Sequence, residues 1–161
     1  MKEIDRNLYV GSLNDYKEFQ NESDFSFVQA CKEPCHRKAV GYTGRSVAKT
    51  HPEYLLAYRP NRLILNMVDT PTGKYFDKIL FDKSIEFIES NLNLNKKVLI
   101  HCNQGVSRSP SIGLLYMALK EKISNYSFIT AKDDFSKIYP EYKPSGIQEF
   151  LIENWNYFKN K

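Results

Sequence analysis

The chain has 161 residues, 42% hydrophobic and 26% charged, the size and balance of one soluble globular domain with a single core. No apolar run approaches the roughly 20 residues of a membrane span, and the opening "MKEIDRNLYVGS" has Glu3, Asp5 and Arg6 where a signal peptide needs an apolar stretch, so a cytoplasmic protein without membrane contact is expected. Three irregularly spaced cysteines do not make a disulfide framework and point to reduced thiols, while the mild net charge of +4 is concentrated: residues 32–62 hold seven cations and two carboxylates, a net +5, leaving −1 for the rest.

In chain order, "NLYVG" and "FSFVQAC" read as short strands. Between them, "SLNDYKEFQNES" reads as a helix capped by Ser12. Residues 32–62 contain Pro34, Gly41, Gly44, Pro52 and Pro60 and predict a long irregular excursion. Its charge suggests an anionic partner, with Lys32, Arg37, Lys38 and Arg45 flanking a binding pocket; the plain alternative is a solvated loop. "NRLILNMV" (61–68) predicts a buried strand, ended by the turn "DTPTG". Phe81, Ile85, Ile88 and Leu92 fall at helical spacing and predict an amphipathic helix over 76–92. "KKVLIHC" predicts the next strand. Three helices follow: from about Ser109, over 127–138, and from Ser145, where Ser145 and Gln148 have capping-box spacing. Strands alternating with helices predict an α/β fold: a central, mostly parallel sheet with helices on both faces.

The chemistry is concentrated in "VLIHCNQGVSRSPSIGLLYMALKEK" (98–122), a strand, a polar loop and a helix. The first N–H groups of a helix have no intrahelical acceptor and lie at the positive end of the dipole, so such a loop suits an anion. Gly105 allows a tight turn and close backbone approach. Arg108 adds a planar fork that grips two phosphate oxygens. The same field favours the thiolate of Cys102, a nucleophile aimed at the phosphorus of a bound phosphate. Cysteine and arginine six positions apart are not specific alone, because Cys31 and Arg37 repeat the spacing in "CKEPCHR". That copy has Pro34, no glycine, and runs into "KAVGYTG" rather than a helix.

Displacement by a thiolate needs an acid for the departing oxygen. Asp69 ends a predicted strand, and strand carboxyl ends share one edge in a parallel sheet, where ligands bind. Asp77 and Asp82 are the rivals, and the helical pattern makes them solvent-facing. Cys31, Cys35, His36 and His51 match no common zinc spacing, so no metal and no cofactor are expected.

"VLIHCNQGVSRSPS" resembles the signature loop of the cysteine-dependent protein tyrosine phosphatases in its dual-specificity version. "NLYVGSLND" resembles that family's opening strand, "LNMVDTP" its acid loop and "YPEYKPSGIQEFL" the start of its closing helix, with Ser145 where asparagine is usual. The chain is shorter than the tyrosine-specific members, and its excursion is longer than in the simplest relatives. Gln104 replaces a usual alanine, and neutral Asn103 and Gln104 stand where inositide-lipid phosphatases tend to carry lysines.

The resemblance implies one catalytic domain over 1–161. It implies Cys102 as nucleophile, Asp69 as acid and then base, and Ser109 as the hydroxyl stabilising the leaving thiolate. Phosphate would bind residues Asn103, Gln104, Gly105, Val106, Ser107 and Arg108, and His101 would orient the loop. The implied reaction is hydrolysis of protein phosphotyrosine through a cysteinyl phosphate, extending to phosphoserine and phosphothreonine if the pocket is shallow. The basic excursion keeps open an RNA 5′-phosphatase or other polyanion phosphatase. A non-catalytic phosphoprotein-binding module is the third reading, though binding alone needs no thiol. Some members of the superfamily place a resolving cysteine where Cys31 stands, so Cys31 is the candidate redox partner for Cys102; the equal alternative is a buried strand-end residue, with Cys35 less constrained.

Overall fold

The computed structural model describes residues 1–161. Six strands form one sheet: β1 (Lys2–Asp5), β2 (Leu8–Ser12), β3 (Phe25–Gln29), β4 (Leu56–Arg59), β5 (Arg62–Leu65) and β6 (Lys97–Cys102). Their order is β1-β2-β6-β3-β5-β4. The inner pairs β2–β6, β6–β3 and β3–β5 are parallel, and each edge strand pairs antiparallel with its neighbour. Along β6, side chains alternate between faces, yet Val98, Leu99 and Ile100 are all fully buried. Both faces are therefore covered, which is why "VLI" is continuously apolar.

On one face lie α3 (Lys78–Asn93), α4 (Arg108–Leu119) and α6 (Ile147–Lys159), with α5 (Phe128–Ile138) packed on α4 and α6. They close the main core, in which Val10, Val28, Val98 and Ile100 meet Ile112, Leu115, Phe135 and Phe150. The other face carries α1 (Leu13–Phe19) and α2 (Arg37–Val40) over two small clusters. One is Phe25, Phe27 and Leu99; the other is Cys31, Cys35, Ala57 and Ile64.

Several local expectations change. "KEID" was not readable as a strand, because it is short and charged; it becomes β1 only through pairing with β2. The 32–62 excursion is not one irregular loop. It contains a π-type turn at Lys32–His36, then α2, then β4 at the sheet edge. The Cys31…Arg37 repeat thus does run into a helix, though one of only four residues. The strand expected over 61–68 is hydrogen-bonded only over Arg62–Leu65. The final helix starts at Ile147, not Ser145, and has no side-chain cap. Ser145 turns its hydroxyl to the Thr70 carbonyl instead, at 3.0 Å. Ser12 and Ser127 do cap α1 and α5, each in a capping box. No helix is long and apolar enough to cross a membrane.

Candidate active site

The carboxyl ends of β2, β6, β3 and β5 share one edge, with Ser12 paired to Cys102 in the β2–β6 register. β6 delivers Cys102 there, and residues 103–107 turn into α4. Gly105 sits at φ 76°, and a Cβ on it would lie 2.8 Å from the Gly11 carbonyl oxygen, so this position needs glycine.

The carbonyls of the loop are tied outward. Leu13 N–H donates to Asn103 O and Lys143 N–H to Val106 O. Tyr139 OH donates to Gly105 O at 2.7 Å, and Ser111 Oγ donates to Ser107 O at 2.7 Å. The N–H groups of Gln104, Val106, Ser107 and Arg108 meet no protein acceptor. A set of backbone donors on one tight loop at a helix start is an anion cradle. Burial pushes the Tyr139 hydroxyl up to about 12, so it remains a donor at neutral pH. Burial also raises Tyr142, whose hydroxyl lies 2.8 Å from Ser111 Oγ. These tyrosines and Ser111 were missed in the sequence; the only signal for Ser111 was its helical spacing from Ser107.

Cys102 is a free thiol, 2% exposed, at the base of the loop. Its Sγ accepts from Gly105 N–H at 3.3 Å and lies 3.2 Å from Ser109 Oγ. The Ser109 hydroxyl also reaches the Gly11 carbonyl at 3.1 Å, so its one hydrogen can serve either partner. Arg108 is buried. Nη1 donates to Met67 O at 2.9 Å and Nη2 to Asn103 Oδ1 at 2.8 Å. Its Nε is buried without a protein acceptor, a condition a phosphate oxygen would satisfy.

Asp69 is exposed at the mouth, and its Oδ1 accepts from Ser107 Oγ at 3.5 Å. The structure brings it to the loop, although β5 ends at Leu65 and the residues between them are not strand. The rivals are engaged elsewhere. Asp77 caps α3 by accepting from Ile79 N–H. Asp82, expected at the surface, is buried; it accepts from Tyr157 OH and pairs with Lys161.

His101 is fully buried between β3 and α1. Its ring stacks on Tyr16 at 4.7 Å, and Gln29 Nε2 lies 3.0 Å from Nε2. If the amide donates there, the ring proton sits on Nδ1, which faces the Cys102 carbonyl at 3.4 Å. Burial lowers its pKa to about 4, so it is neutral at physiological pH.

Cys31, the candidate redox partner for Cys102, has a different partner in this structure. Cys31 is bonded to Cys35, with Cα atoms 5.6 Å apart, and Cys35 is buried rather than loosely held. This also corrects the expectation of three reduced thiols: spacing alone could not show that the turn after β3 folds Cys35 back. His36 contacts Tyr42 OH and Glu53 O, and His51 Nδ1 accepts from Glu53 N–H, whereas the two cysteine sulfurs lie within 4.8 Å of a ring nitrogen of His101. Three of the excursion's seven cations, Lys32, Arg37 and Arg59, are engaged within it. Arg37 pairs with Glu33 and with the Tyr42 and Gly44 carbonyls, Lys32 reaches the Arg45 carbonyl, and Arg59 pairs with Glu53.

A family model described as "Dual specificity phosphatase, catalytic domain" matches residues 8–142. The chain is similar to dual specificity protein phosphatase 8 of Mus musculus, 27% identical over 146 residues, which span 86% of this chain and 19% of that protein. It is also similar to dual specificity protein phosphatase YVH1 of Plasmodium falciparum (isolate 3D7), 34% identical over 104 residues, 62% of this chain and 17% of that one. The chain thus spans about a fifth of the length of these curated relatives. Its fold is similar to the crystal structure of DUSP15, with a TM-score of 0.68 at 17% identity, covering 99% of this chain and 92% of the other.

Proposed function

This chain belongs to the dual specificity phosphatase family, and from that premise we propose that residues 1–161 act as one catalytic domain hydrolysing phosphotyrosine, and phosphoserine or phosphothreonine, on protein substrates in the cytoplasm. The observation that carries the reading is the placement of Cys102 Sγ. One thiol meets the Gly105 N–H and the Ser109 hydroxyl at the base of a loop that also holds Arg108 and touches Asp69.

The substrate phosphate binds the free N–H groups of Gln104, Val106, Ser107 and Arg108 and the Arg108 guanidinium. Cys102 attacks phosphorus from below, forming the S–P bond as the P–O bond to the leaving group breaks. Asp69, at the mouth, gives that oxygen its proton. Asp69, now a carboxylate, takes a proton from water as the water attacks the cysteinyl phosphate. Cys102 leaves as a thiolate, and the Ser109 hydroxyl turns from the Gly11 carbonyl to donate to it. Every proton and bond is handled by a group of this chain. His101, neutral and clamped by Tyr16 and Gln29, holds the end of β6 rather than transferring protons.

The test is hydrolysis of a phosphotyrosine peptide, a phosphothreonine peptide and a 5′-triphosphorylated RNA by the wild-type chain. Turnover of the peptides well above the RNA supports the reading. Turnover of the RNA alone would favour the polyanion alternative, and binding without turnover the non-catalytic one.

A further inference from the structure

The turn that follows β3 packs against the phosphate loop. Cys31 is fully buried at its start, and Cys35, 7% exposed, closes it through the disulfide. Lys32 N–H donates to Met67 O, the same carbonyl that Arg108 Nη1 uses. Inside the closed ring, the Glu33 carbonyl accepts from Asn103 Nδ2 at 2.8 Å, and Asn103 Oδ1 accepts from Arg108 Nη2 at 2.8 Å. One amide side chain therefore connects the disulfide ring to the guanidinium. The disulfide also abuts the strand end, since both sulfurs lie within 4.8 Å of a ring nitrogen of His101.

Beside the ring is a cavity of about 500 Å³, whose wall includes Cys35 but not Cys31. Lys17, Lys38 and Arg62 line it, with Tyr16 and Gln29, and no carboxylate does. Such a chamber concentrates small anions next to the one sulfur it reaches.

We propose that Cys31–Cys35 is a thiol–disulfide exchange site, opened through this cavity by an anionic low-molecular-mass thiol, and that its state sets how firmly Arg108 is held for phosphate. The consequence at Arg108 rests on the phosphatase reading; the exchange itself does not. A thiolate R–S⁻ attacks Cys35 Sγ, an S–S bond to Cys35 forms, and the Cys31–Cys35 bond breaks with Cys31 leaving as a thiolate that takes a proton from solvent. A second R–S⁻ attacks the R sulfur of the mixed disulfide. It releases Cys35 as a thiolate and forms R–S–S–R, so two thiols are oxidised as one disulfide is reduced. Opening the ring frees Lys32, Glu33 and Pro34 from closure. The Glu33 carbonyl then no longer fixes Asn103, and Asn103 no longer fixes Arg108. Loss of one such hydrogen bond corresponds to about a fivefold change in affinity. In this device the nucleophile is not a partner in the disulfide.

The experiment uses the full chain carrying Cys102→Ser, which keeps the cradle and removes the thiol whose own oxidation would confuse the result. The oxidised protein is treated with 2-mercaptoethanesulfonate or with neutral 2-mercaptoethanol, and freed thiols are alkylated and counted by mass spectrometry. We expect Cys31 and Cys35 to open together, several-fold faster with the sulfonate, and Lys38→Glu to cut that advantage. Affinity for a phosphotyrosine peptide should fall about fivefold on opening, and in Asn103→Ala it should be weak and the same in both states. Failure of the disulfide to open, equal rates with the two thiols, or equal peptide affinity in both states would overturn the proposal. Absence of peptide binding in either state would overturn the phosphatase reading and, with it, the link to Arg108, while leaving the thiol counts interpretable on their own.

Discussion

Ser107 Oγ donates to Asp69 Oδ1 across 3.5 Å, so the phosphate loop touches the side chain that would protonate the leaving group. Ser107 also accepts from Ser145 N–H at 3.0 Å, and Ser145 Oγ donates to the Thr70 carbonyl at 3.0 Å. Three residues from three parts of the chain thereby place the carboxylate over the cradle.

Asp69→Asn should slow hydrolysis of alkyl and unactivated aryl phosphates by about 10²–10⁴-fold, the usual scale for a general acid. p-Nitrophenyl phosphate should lose much less, because its leaving group departs without a proton. Measuring kcat/KM across a series of leaving groups checks this. Equal losses along the series would remove Asp69 from the acid role.

Ser145→Ala deletes the bond to Thr70 and keeps the backbone bond to Ser107. We expect about a fivefold fall in kcat for a poor leaving group, the value of one hydrogen bond. KM should stay nearly unchanged, because the cradle is intact. A fall confined to KM would place Ser145 in substrate binding instead.

Much of this site was legible in the sequence, for identifiable reasons. Cys102, Gly105, Arg108 and Ser109 lie within one strand–loop–helix unit, and local spacing carries that geometry. Asp69 was read as a strand end, but β5 ends at Leu65 and it is the turn beyond the strand that carries Asp69 to the loop. Ser145 was readable as a position but not as a role. Its spacing to Gln148 suggested a helix cap, whereas its hydroxyl turns to a loop 75 residues earlier, a contact no local pattern encodes. The same holds for Tyr139 on the Gly105 carbonyl and for Asn103 on the Glu33 carbonyl. In the fold, the inner strands were legible because burial on both faces makes their residues predominantly apolar. β1 and β4 were not, since an edge strand takes its structure from a neighbour. The Cys31–Cys35 bond was not legible, because it depends on how the turn of Lys32–His36 folds.

Gly105→Ala should reduce kcat/KM at least tenfold while leaving the melting temperature within a few degrees. The added Cβ meets the Gly11 carbonyl at 2.8 Å, and alanine is disfavoured at φ 76°. The strain falls on the cradle rather than on the core. Phosphate affinity and a thermal melt, measured together, check it. Unchanged affinity would contradict the cradle geometry.

His101 should remain neutral down to about pH 4, read from its ring resonances in an NMR titration. Burial depresses its folded pKa below the ordinary value near 6.5, so in this window the unfolded chain binds more protons. The contribution of His101 is therefore fully present above pH 6.5 and is lost as the pH falls towards about 4. The slope is at most about 1.4 kcal/mol per pH unit. A His101 midpoint near 6.5 would contradict its burial between Tyr16 and Gln29.

The central claim is that phosphate passes through Cys102. Asp69→Asn protein, in which both steps are slow, is mixed with a phosphotyrosine peptide, quenched within milliseconds to seconds, digested and mapped by mass spectrometry. We expect up to one phosphate per chain, on the peptide containing Cys102, and none when Cys102→Ser is added. Phosphate on another residue, or turnover by Cys102→Ser protein at a substantial fraction of wild type, would contradict the account.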